Sequence, residues 1–147
     1  MPEPAPTLLA DAQRALRSRF DDFQGAFGRR DEVAARVALS DFHARLKEWT
    51  AALEAGLLPA LAAASTPRRD LQRELSLDFV QQRELTRYLS EQIWERAPLS
   101  DILGLIQNLD RRMAAHAEQM DSVYAAAAAA VLSPEGWETL RRACPEP

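Results

Sequence analysis

Along four long stretches of this 147-residue chain an apolar side chain returns every three or four positions, and no run alternates in twos. That spacing follows the 3.6-residue turn of an α-helix and not the pleat of a strand, so the fold is expected to be all-α. Composition points the same way. Alanine supplies 27 residues and arginine 17 of the 18 basic ones, whereas glycine occurs only 5 times, and strong helix formers fill most windows. The length suits one domain spanning 1–147 and is too short for two of ordinary size.

Local signals divide the pattern into helices at about 8–27, 32–64, 67–94, 99–132 and 134–143. Thr7 is placed to cap the first, whose stripe runs Leu9, Leu16, Phe20, Phe23, Phe27 and whose end is marked by Gly25 and Gly28. Asp31 caps the second, which carries Ala35, Leu39, Phe42, Leu46, Trp49 and Leu53 before Gly56 and Pro59 are expected to bend or interrupt it. Thr66-Pro67 reads as a cap and first helical residue for the third, with Leu71, Leu75, Phe79, Leu85 and Leu89. The fourth shows Ile102, Ile106, Leu109, Met113, Met120, Val123 and Ala127, and Ser133-Pro134 opens a short terminal helix around Trp137 and Leu140. Short connections make successive helices antiparallel neighbours, giving an up-down-up-down four-helix bundle with a short C-terminal helix.

A net charge of −4 argues against a phosphate-binding surface, so nucleic acid is not an expected partner. The start, Met-Pro-Glu-Pro, is acidic where a secretory signal needs basic residues, and the longest strongly apolar run, from Val123 to Leu132, is about half a membrane span. A cytoplasmic protein is expected, with no membrane partner. The single Cys144 excludes an intrachain disulfide, and beside Pro145 it is expected in an unordered, dispensable tail. His43, one residue off the second stripe, reads as a surface histidine on the bundle shoulder, and Arg83-Glu84 as a solvated face.

Three polar residues fall at one level of the apolar stripes. Alternating steps of four and three from Leu9 reach Gln13, and the same stepping reaches Gln82 after Asp78 on the third helix and His116 on the fourth. With Trp49 they lie at similar distances from their turns and are expected at one level. Buried polar groups cost about 1–3 kcal/mol each when unpaired, so a shared layer implies mutual hydrogen bonds, water or a ligand.

These segments resemble the hemerythrin-like, or HHE, family, whose up-down bundles hold a di-iron centre with histidines and carboxylates. The segments AQRAL (Ala12 to Leu16) and QQREL (Gln81 to Leu85) resemble family segments that carry Glu-His where this chain has Ala12-Gln13 and Gln81-Gln82. The run from Phe42 to Leu61 is similar to the family's second helix and keeps the LLPAL ending, but Trp49 and Leu53 stand where a histidine and a glutamate are usual. In the fourth helix His116 stands at the family histidine, Met120 at a usual glutamate and Asp121 at an aspartate some members use, and LSPEGWETL resembles a common tail.

The resemblance implies iron as cofactor and roles in oxygen, nitric oxide or iron sensing for members with intact ligands. Here a di-iron set is short of ligands. If any metal binds, His116, Asp121 and Asp78 are the expected ligands. Otherwise Gln13, Trp49, Leu53, Asp78, Gln82, His116 and Met120 line a metal-free pocket with no cofactor. The chain is then expected to be a non-enzymatic binding or regulatory module for a protein partner or a small ligand. The alternatives are residual metal sensing and a self-associating bundle, a homodimer using apolar positions near Leu57, Leu58 and Leu61 or the alanine-rich end of the fourth helix.

Overall fold

The computed structural model describes residues 5–146. It is all-helical, with no strand among the described residues. The helices are α1 (Ala5–Gly28), α2 (Glu32–Ala63), α3 (Arg69–Trp94), α4 (Leu99–Gln119), a π-helical turn (Met120–Tyr124), α5 (Ala125–Val131) and α6 (Pro134–Ala143). Consecutive long helices pack on each other, α1 also packs on α4 and α5, and α6 packs on α2. No helix among the described residues is long and apolar enough to cross a membrane.

The caps account for most helix starts. Asp31 accepts from the Ala34 N–H at 3.1 Å, and Ser133 from the Gly136 N–H at 3.0 Å with Pro134 behind it. The Thr66 cap is not formed, because the chain folds back over the end of α2, where the Arg68 N–H bonds Leu61 O at 3.1 Å, and α3 begins only at Arg69. α1 starts at Ala5, ahead of Thr7, whose side chain lies outside the described ones, as do Met1 to Pro4. Pro59 does not interrupt α2, which stays helical through it. α6 lies across this segment with Leu140 over Gly56, so Leu57, Leu58 and Leu61 are buried and offer no dimer contact.

α1 and α3 end alike. The Asp31 N–H bonds Ala26 O and the Arg30 N–H bonds Phe27 O, and the same pair joins Ala97 to Gln92 and Arg96 to Ile93. Such ends call for a left-handed residue, usually glycine, yet here Arg30 (φ 59°) and Arg96 (φ 57°) adopt it. A side chain there costs about 1 kcal/mol per residue.

An aromatic cluster anchors the core, with Phe20 5.7 Å from Phe23 and 5.2 Å from Phe42 between ring centroids. α1 buries Leu9, Ala12, Leu16, Phe20 and Phe23, so the step from Leu9 is three residues and not four. The small Ala12 sits at the interior position, and Gln13, about 100° further round, is only half-buried. The last helix also departs from the expected stripe. Tyr124 and Ala128 are buried where Val123 and Ala127 were expected, because the π turn absorbs one extra residue and moves the interior position on by one.

The C-terminal tail is docked, contrary to expectation. Pro145 is buried, Cys144 is half-buried against the core, and Arg19 Nη2 donates to Glu146 O at 2.7 Å. Burial first, then the nearby Asp11 charge, pushes the Cys144 thiol up from its ordinary value, which keeps it a poor nucleophile.

Candidate functional site

α3 and α4 place Asp78, Gln82 and His116 in contact. Asp78 and Gln82 are one turn apart on α3, and His116 faces them from α4 between Phe79, 6.0 Å away and edge-on, and Tyr124 at 5.8 Å. Gln82 and His116 are buried, while Asp78 is about one-fifth exposed. Asp78 Oδ2 accepts from Gln82 Nε2 at 3.2 Å and from His116 Nδ1–H. A carboxylate has no hydrogen to give, so Nδ1 carries it, and in the tautomer this selects Nε2 is the acceptor. Tyr124 closes the group, its phenol pushed up from the ordinary value by burial first and then by the negative charges of Asp78 and Glu74.

A shallow cleft of about 360 Å³ opens over this cluster, lined by Asp78, Arg112, Ala115, His116, Gln119 and Tyr124. Arg112 crosses from α4 to donate to Gln81 Oε1 on α3, while its Nε is buried without a partner. The cleft offers donors, a carboxylate and an aromatic wall to a small polar molecule.

The remaining sequence candidates lie elsewhere or take no part in this hydrogen bonding. Gln13 lines a separate groove with Arg17, Met113, Ala117 and Asp121, so it does not join the polar set, and Asp121 does not join His116. The five-residue step from His116 carries Asp121 round to the exposed side of α4's continuation. Trp49, Leu53 and Met120 are buried apolar residues, and Trp49 Nε1 has no hydrogen-bond partner. A di-iron centre needs several histidine and carboxylate ligands. Among the described residues no three His, Cys, Asp or Glu side chains converge, and the one histidine that meets a carboxylate is already bonded to it. These residues do not fit di-iron.

Two groups escaped the sequence reading. Arg83, expected on a solvated face, is half-buried between α2 and α3, where it binds Glu54 through both guanidinium nitrogens (2.9 and 3.1 Å) and donates to Thr50 Oγ1 at 2.9 Å. Thr50 beside Trp49 gave no signal for it, since its buried hydroxyl already donates to Leu46 O at 2.8 Å within α2. Tyr124 was missed because four-residue steps from His116 through Met120 reach it only if the helix widens.

His43 is half-buried on the shoulder of α2, and its imidazole is pushed below the ordinary 6.5 by burial first, then by Lys47 and Arg87. Folding therefore favours the neutral ring. The contribution to stability is complete above the unfolded value and is lost as pH falls through the folded one. His43→Gln is expected to flatten the decline in urea midpoint below about pH 6.5; a variant declining in parallel with the parent would show that His43 carries none of it.

No protein-family model, curated protein or solved structure matches this chain.

Proposed function

We propose that the chain is a hemerythrin-like bundle of up-down-up-down topology that has lost di-iron binding and works as a non-enzymatic binding or regulatory module. The topology is supported by short connections, by packing between consecutive long helices and by the α1 contact with α4 that closes a ring of four. The family reading rests on the segments quoted above. The observation that carries the function is the hydrogen-bond set centred on Asp78, which accepts from Gln82 and His116: the histidine at the family ligand position is held by a carboxylate through Nδ1, beneath a cleft sized for a small polar ligand. Such a ligand would bind by donating to Nε2 and accepting from Arg112 or Gln119. The half-buried, unpaired Cys144 accords with a reducing, cytoplasmic setting.

Iron loading tests the reading. Protein offered ferrous iron without oxygen and then desalted is expected to retain far less than stoichiometric iron and, on exposure to air, to show no oxo-bridged absorption band. Stoichiometric iron that disappears in His116→Ala would overturn the metal-free reading and assign the metal to His116 and Asp78.

A further inference from the structure

One end of the molecule gathers much of its exposed apolar surface. The α1–α2 turn and the α3–α4 turn lie side by side there, because Arg36 of α2 stacks over the Trp94 ring at 4.7 Å and Arg96 approaches Glu32 at 3.9 Å. Trp94 is 71% exposed, Val33 74% and Val37 65%, and the exposed Leu99 and Leu103 meet the start of α2 near Glu32 and Ala35. Together they present on the order of 500 Å² of apolar side chain, more than isolated surface residues account for and much of the roughly 800 Å² that each partner buries in a standard dimer.

We propose that this end is the contact between two copies of the chain, related by a two-fold axis, with Trp94 of each seated in a groove of the other. That groove, about 410 Å³, lies between the start of α2 and the start of α4, with Phe27, Ala35, Leu99 and Leu103 as its apolar lining and Arg30, Asp31 and Glu32 at the α1–α2 turn beside them. An exposed indole and a largely apolar groove at the same end suit an isologous interface, since each copy then gives and receives the same contact. Charge favours a second copy over a strongly charged partner. The whole chain carries −4, yet here Arg30, Arg36 and Arg96 are matched by Asp31, Glu32 and Glu95. A face with balanced charge can meet its own rotated image without repulsion.

The backbone adds an independent pointer. Both left-handed non-glycine residues of the described chain, Arg30 and Arg96, stand at this end, one on each turn. Glycine would adopt this conformation without the strain a side chain adds, so both turns carry a backbone cost at the same end of the molecule. The inference does not rest on the cleft over His116 and stands if that reading fails.

Sedimentation equilibrium of the full chain, with circular dichroism and thermal melts to check each variant, tests it. The parent is expected to dimerise, and Trp94→Ala and Leu103→Glu should each weaken association about tenfold or more. Leu77→Glu, at an exposed leucine elsewhere on α3, should leave association unchanged. A monomer up to about 100 μM, or a dimer insensitive to both Trp94→Ala and Leu103→Glu, overturns the proposal. A monomer would mean that the face serves a different partner.

Discussion

Trp49→Ala is expected to destabilise the fold by about 3–5 kcal/mol, the largest single effect of any substitution considered for this chain. The indole is 1% exposed and among the largest fully buried side chains, so its removal strips dispersion contacts and opens a cavity that the surrounding helices fill poorly. Trp49→Phe should behave differently. The Nε1–H is buried without an acceptor, and deleting it removes an unmet desolvation cost that offsets part of the lost area. The loss expected for phenylalanine is about 1 kcal/mol or less. Urea midpoints of the two variants give the comparison, and a phenylalanine variant as unstable as the alanine one would show that the indole N–H has a partner in solution.

The second large effect belongs to Asp78. One carboxylate oxygen accepts from both Gln82 and His116, so Asp78→Ala strands two buried donors at once and is expected to cost about 2–4 kcal/mol. Removing His116 alone also leaves a vacancy, but once Asp78 is gone its further removal should cost much less. A double-mutant cycle on Asp78 and His116 is therefore expected to give a coupling of about 1–3 kcal/mol, and a cycle on Gln13 and His116 none beyond error. Leucine at 78, 82 and 116 together should recover much of the single-variant loss, since an apolar set of similar volume leaves nothing unpaired. Strict additivity between Asp78 and His116 would mean that the two side chains do not meet.

The all-helical fold was legible because helical periodicity is a long-range signal, repeated over twenty or more residues per element, and a few irregular positions do not disturb it. The site was legible only where the stepping stays in phase. Gln82 and His116 are reached by counting along unbroken helix and are buried. Gln13 is not, because Leu9 leaves two ways to begin, and the choice between Ala12 and Gln13 depends on how closely a neighbouring helix approaches. Asp78 was recognised as an interior carboxylate, but its bonds to Gln82 and His116 depend on rotamers that no spacing rule supplies. Arg83 shows the opposite failure. A long charged side chain can bury its stem and reach a partner across a helix boundary, so an arginine in a charged run need not be solvated. Leu57, Leu58 and Leu61 were read as available for self-association because nothing in their spacing shows that α6 returns across them.

The π turn at Met120–Tyr124 works as an angular setting for everything that follows it. Buried His116, Met120, Tyr124 and Ala128 are spaced by four, and on an ordinary α-helix each such step drifts about 40°, which over three steps would swing Ala128 well off the interior. One extra residue taken up in the wide turn cancels about 100° of that drift. Chain length in this region is thus tied to orientation. Deleting one residue between 120 and 124 would leave the helical phase of α1 to α4 unchanged. It would turn α5, the α6 helix that covers Leu57 and Leu61, and the Cys144–Pro145 tail by more than a quarter of a revolution. For the C-terminal part of this chain the count of residues matters as much as their identity, and single insertions or deletions here act as changes of gear that substitutions cannot imitate.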